Sequence, residues 1–368
     1  VTGLTPGIEI YFSIRTIDKD DNMSAPSNEA RAWTLASADD VHWDLRFAPH
    51  PDGRGMNGAV RALVEFNGDL IAAGDFTQAG GLNVGSIARW DGAAWQELGT
   101  GLNGSVRALA VYQGKLIAGG TFSRAGGRTC LFIAAWDGVS WENLRGGVNA
   151  PVSALAVVGS SLYAGGEFTM VDGQECGRIA RWSAATWSPV SPGLEGPVRA
   201  FAVDGADLYV GADFYATGGA PMGHVLRWSQ EAWQAVGDDM DGEVDALAVH
   251  AGALVAGGDF LHAGSVSVGR IARWTGSAWS PLGAGADGRV SALSSTGNNL
   301  VAGGAFEHIG QIETSRIARW EDPGFGPFGS GFDGSVYAVA PVSGGIAIGG
   351  IFTMAGGRPS AFIAHWND

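Results

Sequence analysis

Apolar and polar positions along this chain recur with a period of 46 residues. One unit shows the pattern. Val106-Arg107-Ala108-Leu109-Ala110-Val111 alternates and predicts a strand, and Gln113-Gly114 marks a turn. Leu116-Ile117-Ala118-Gly119-Gly120-Thr121-Phe122 reads as a second strand with no polar face, and Ser123 to Thr129 as a glycine-containing loop. Phe132 to Trp136 predicts a third strand. Asp137-Gly138 is a hairpin turn that tolerates positive φ, and Trp141 to Leu144 is the fourth strand. Three columns fix the period. Phe recurs at 76, 122, 168, 214, 260, 306 and 352, Trp at 90, 136, 182, 228, 274, 320 and 366, and Val at 60, 106, 152, 198, 244, 290 and 336. Four short antiparallel strands per unit make a propeller blade, and strands apolar on both faces suit a blade sandwiched between two others.

The count also predicts how the ring closes. The seventh unit starts at Val336 and ends at Trp366-Asn367-Asp368, three strands long. An orphan fourth strand, Val41-His42-Trp43-Asp44-Leu45, stands at the other end of the repeats. Trp43 to Val60 spans 17 residues where Trp95 to Val106 spans 11, so six residues are inserted there. Pairing 41–47 with the last blade covers an otherwise open edge. The expected fold is all-β: a seven-bladed propeller over 41–368, closed by its N-terminal strand.

Residues 1–35 lie outside the repeat and 36–40 read as a polar linker. Leu4-Thr5-Pro6-Gly7, an alternating strand from Ile8 to Ile17, and Ser24-Ala25-Pro26-Ser27 before a second strand resemble the end of a fibronectin type III domain. Two strands do not make a sandwich, so this resemblance implies a longer parent chain with other domains. In the repeats, Gly-Gly-x-Phe, Ile-Ala-Arg-Trp-Asp-Gly and Leu-Gly-x-Gly-x-Asn-Gly-x-Val resemble the kelch-like propeller of fungal cortical polarity-marker proteins. Related repeats of large secreted bacterial proteins share the pattern. The resemblance implies an extracellular or cell-surface location.

Charge narrows the partners. The net charge of -15 disfavours nucleic acid, which needs a Lys/Arg surface, and anionic lipid alike. Lysine occurs only at Lys19 and Lys115, so arginine carries the other 20 positive charges and is expected in structural ion pairs. No apolar run is long enough for membrane insertion. Cys130 and Cys176 hold one repeat position in neighbouring blades. Equivalent atoms ~12 Å from a seven-fold axis lie ~10 Å apart, beyond disulfide reach.

Candidate chemistry gathers on the face where first strands begin, here called the top. One column there is Asn57, Asn103, Asn149, Glu195, Asp241, Asp287 and Asp333; a second is Asp75, Thr121, Glu167, Asp213, Asp259, Ala305 and Ile351. No cofactor is expected. The acids Asp241, Asp287 and Asp333 are weak calcium candidates, weighed against plain turn chemistry, which suits Asn-Gly and Asp-Gly anywhere. The first-strand column Arg61, Arg107, Ser153, Arg199, Asp245, Ser291 and Tyr337 is expected to pair with these acids. Arg89, Arg181, Arg227, Arg273 and Arg319, beside the repeated Trp, are expected to pack or make cation–π contacts. His262 and His308 share a loop position in adjacent blades; Tyr215 and Phe132 are aromatic candidates for stacking on sugar.

Sialidase-type boxes, a Gly-x-Ser-x-Gly elbow and His-Glu-x-x-His are all missing from the sequence. The expected function is an extracellular binding or adhesion module, with a glycan or an extracellular protein on the top face. A secreted carbohydrate-active hydrolase or lyase sited around blades four to six is the alternative, and a surface-layer scaffold a third.

Overall fold

The computed structural model describes residues 9–12, 30–33, 38–44, 46–47, 55–212, 216–217, 220–221 and 223–367. Blade two is representative. Its strands Val106–Tyr112, Lys115–Gly120, Ile133–Trp136 and Trp141–Asn143 form one antiparallel sheet in chain order. Blades one to six each have four such strands, and blade seven has three. The first strands stand side by side around an axis. That of blade seven, Val336–Val342, packs on that of blade one, Val60–Phe66, so the ring is closed. A small hairpin, such as Arg124–Ala125 with Arg128–Thr129, follows each second strand.

The glycine pair explains how blades pack so closely. A Cβ on Gly119 would come within 2.6 Å of Val152 Cγ1 in the next blade, and one on Gly349 within 2.5 Å of Val60 Cγ1. The repeated Val therefore seats against bare backbone. A Cβ on Gly120 would lie 2.0 Å from the Ser105 carbonyl oxygen, at a register shift where the first strand begins.

Each core lies between two blades. Ile117 and Leu144 of blade two meet Val152, Phe168 and Trp187 of blade three in one buried cluster. Burying a side chain of this size contributes about 1.5–3 kcal/mol. A polar stitch accompanies the packing. Trp141 Nε1 donates to the Leu98 carbonyl in the preceding blade at 2.8 Å, and Trp187 donates to Leu144 at 2.8 Å.

At the closure the expected strand 41–47 is a five-residue 3-10 turn, Ala38–His42, followed by a single bridge, Trp43 to Trp366. The Asp44 N–H donates to His365 O at 3.1 Å, and Trp43 is 1% exposed against Phe328, Phe332 and Trp366. Asp40, read from the sequence as linker, is buried here and accepts from the backbone N–H and hydroxyl of Ser330 at 2.8 and 2.6 Å. The inserted Phe47 is buried against Trp90 and Trp95. In the N-terminal region Glu9–Phe12 pairs antiparallel with Ala30–Trp33. The motifs at 4–7 and 24–27 lie outside the described residues.

Candidate functional site

Alternation along the first strand builds the channel. Val106, Ala108 and Ala110 face the sheets and are buried, while Arg107 and Leu109 line the axis. One turn of the ring below the mouth is therefore apolar: Leu63, Leu109, Leu155, Phe201, Leu247, Leu293 and Val339. Above it a cup of about 810 Å³ opens on the top face, lined by the whole column Arg61, Arg107, Ser153, Arg199, Asp245, Ser291 and Tyr337. Asp75, Glu167, Arg289 and the hydroxyls of Ser105, Thr121 and Ser335 complete the wall.

The charges in this cup are paired. Arg61 Nε and Nη2 both lie 2.7 Å from Asp75 Oδ2. Arg107 reaches Glu167 at 3.0 Å in the next blade. Arg199 and Arg289 share two acids: Arg199 is 2.5 Å from Glu243 and 3.6 Å from Asp245, and Arg289 bonds Glu243 and lies 2.7 Å from Asp245. The first-strand arginines thus pair with acids of the second column and with Glu243 and Asp245, rather than with the column at 57 to 333. The guanidinium of Arg61 sits 5.1 Å from the Tyr337 ring centroid.

Burial pushes the Asp245 carboxyl up to about 6, with Arg199 opposing and Asp259 adding to the rise. Burial also lowers Arg289, and Arg199 adds to that. Asp75 goes the other way: burial raises it, but Arg61, Ser105 and Arg107 together hold it below the usual carboxylate range. The cup therefore presents fixed donors, hydroxyls, carboxylates and one aromatic ring above an apolar floor.

The column at 57 to 333 does a different job. Asn103 Oδ1 accepts the backbone N–H groups of Ser123 and Arg124 at 2.9 and 2.8 Å, tying the loop hairpin to the start of the first strand. Asp241 does the same for Leu261 and His262, Asp287 for Glu307 and His308, and Asp333 for Thr353 and Met354. His262 Nδ1 lies 2.8 Å from Asp241, and His308 Nδ1 2.9 Å from Asp287, so each histidine is held within its own blade. Partial burial raises Asp241 and Asp287, but these N–H groups and the histidines bring both below their ordinary values. Among the described residues no three His, Cys, Asp or Glu side chains converge as metal ligands.

The other candidates scatter. Glu195 is exposed beside a groove containing Cys176 and Pro192. Asp259 pairs with Arg270 at 3.1 Å. Phe132 is half-buried against the core at positive φ, a position held by Ser86 in blade one and Arg178 in blade three. Asp213 and Tyr215 lie outside the described residues. The arginine column beside the repeated Trp is mostly ion-paired: Arg89 with Asp69, Arg181 with Glu231, Arg227 with Asp207, and Arg319 with Glu321. Among the described residues only Arg319 of this column also stands over an aromatic ring, 5.6 Å from the Phe328 centroid. Sequence reasoning missed Glu243 and Arg289. Their signal was the position before the repeated Val, which turns charged, with opposite signs, only in these adjacent blades.

No family model matches the chain, and no curated protein matches it. Solved structures do. The computationally designed protein Ika8 is 17% identical with TM-score 0.51, covering 85% of this chain and 97% of its own. The WD40 propeller domain of Doa1 is 12% identical with TM-score 0.52, covering 84% and 93%. The extracellular domain of BT4673 from B. thetaiotaomicron is 10% identical with TM-score 0.58, covering 88% of this chain and 40% of that one. At these identities the likeness is one of fold.

Proposed function

We propose that this chain is an extracellular binding module that holds a glycan in the cup at the top of its channel. The cup itself carries the reading. Its paired arginines and carboxylates offer fixed donors and acceptors, its serines and threonine adaptable ones, and Tyr337 an aromatic face. The wall is almost wholly polar, which suits a hydroxyl-rich ligand, and its precisely placed polar groups would fix that ligand's orientation. The extracellular setting of the BT4673 domain is consistent with the location, as is the resemblance of the repeats to secreted proteins.

The test is a panel of polysaccharides and oligosaccharides incubated with the full chain, read for retention and for release of reducing ends. Retention without release is expected, and Arg107→Ala and Tyr337→Ala should each weaken it about tenfold, the loss of one charged hydrogen bond or one stacked ring. Retention that survives both substitutions places the ligand elsewhere. Release of reducing ends instead favours a hydrolase or lyase. One observation speaks for that second reading: the half-buried carboxyl of Asp245, held between Arg199 and Arg289 and raised to about 6, has a value suited to general acid–base work near neutrality.

A further inference from the structure

The opposite face carries a second constellation. Each first strand runs from the mouth to a hairpin at the far end, Ala251-Gly252 in blade five. Beside that hairpin, between blades four and five, lies a cavity of about 560 Å³ lined by Tyr209, Arg227, Ala253, Arg273, Trp274 and Ser280. Arg273 belongs to the arginine column beside the repeated Trp. The four other members each hold a carboxylate. Arg273 has no ion-pair partner among the described residues. The reason is legible in the repeat: the strand-two position that is Asp69 in blade one and Asp207 in blade four is Ala253 here, and the Glu321 position is Thr275.

The ring beside it is also uncovered. Trp90, Trp136, Trp228, Trp320 and Trp366 are 5–8% exposed, whereas Trp274, like Trp182, is half-buried, and it lines the cavity. Asp204 stands exposed at the rim, and Arg227 is engaged by Asp207. A guanidinium lacking its carboxylate, beside an indole and a phenol, has the shape of a site for an anionic ring. The fork takes a carboxylate or sulfate bidentately, and the aromatic surface takes the apolar face that carries it.

We propose that this cavity is a second binding site, distinct from the cup, which takes a carboxylate or sulfate borne on a sugar ring through Arg273 and Trp274. It does not depend on the cup's having any ligand. Calorimetry on the full chain tests it with four probes: methyl glucuronide, glucose 6-sulfate, methyl glucoside and inorganic sulfate. At least one of the two charged sugars should bind, and which one binds identifies the anion. The uncharged glucoside and inorganic sulfate should each bind at least tenfold more weakly. Arg273→Gln should weaken the charged sugar at least tenfold, and Arg273→Lys, which keeps charge and loses the fork, should fall between.

Ala253→Asp is the sharper variant, because it rebuilds the ion pair of blades one and four and should block binding with Arg273 still in place. Arg107→Ala in the cup should leave this binding unchanged. The proposal is overturned if neither charged sugar binds, if Arg273→Gln and Ala253→Asp bind like the parent protein, or if the glucoside or inorganic sulfate binds as tightly as the charged sugar. Loss of binding in Arg107→Ala alone would assign these sugars to the cup and also overturn it.

Discussion

Replacing Trp43 and Trp141 by Phe should have very different costs, although the two residues hold corresponding positions in their blades. Both are 1% exposed. Both pack edge-on or tilted against the Trp of the third strand, at 4.8 Å for Trp43 and 5.4 Å for Trp141. Shrinking the ring therefore costs about 1–2 kcal/mol at either site. The indole nitrogens differ. Trp141 Nε1 donates to Leu98 O, so its loss leaves a buried carbonyl unpaired at an added cost of about 1–3 kcal/mol. Trp43 Nε1 is buried with no hydrogen-bond partner among the described residues, so its removal relieves a penalty of similar size. Trp141→Phe should destabilise by about 2–5 kcal/mol and Trp43→Phe by about 1 kcal/mol or less. Urea unfolding of the parent and both variants measures this through midpoint and slope. Equal losses, or a larger loss at Trp43, would refute the view that the closure tryptophan lacks its stitch.

Other expectations concern the loops, the cup and the thiols. Asn103→Ala should cost about 1–2 kcal/mol by freeing two backbone N–H groups, and Asn103→Asp should keep most of that; thermal unfolding compares them. Folded Asp245 keeps its proton to about pH 6, above the unfolded carboxyl near 4, so the folded state binds more protons in that window and its stability falls as pH rises through it. Unfolding free energies of the parent and Asp245→Asn, from urea titrations, should therefore shift relative to each other by at most about 3 kcal/mol between pH 4 and 6, and a pH-independent difference would contradict the raised value. Burial pushes Cys176 up to about 11 and raises Cys130 as well, so iodoacetamide at pH 8 should label neither until the ring unfolds. Labelling of the native protein within minutes would show that the blades open locally.

The architecture was legible because packing imposes it on every unit. The Gly pair, the Phe and the Val each answer one recurring contact between blades, so each recurs at the same spacing. The closure was legible for the complementary reason: blade seven lacks a strand, and Trp43 supplies the missing aromatic residue. Its form was not. The segment makes one bridge and a 3-10 turn where a strand was expected, because Asp40 docks on Ser330 and draws the chain into the ring. The acidic column was ambiguous in sequence for a physical reason. Asp241 and Asp287 read in sequence as either weak ligands or turn formers, and their oxygens accept N–H groups some 20 residues further on, a partnership that only the folded hairpin reveals. Glu243 and Arg289 stayed hidden because a single charged pair leaves no period.

The clasp has a mechanical consequence. Most of the ring is held by sheets of three or four strands and by blade-on-blade packing, but the N-terminal segment meets blade seven through one bridge, a few hydrogen bonds and the rings around Trp43. Tension applied through the segment ahead of residue 38 reaches this joint before any blade. The bonds there would be loaded in succession rather than together, so the joint should part first under pull, at a force lower than any single blade withstands. Opening it would uncover the edge of blade seven and its aromatic seam.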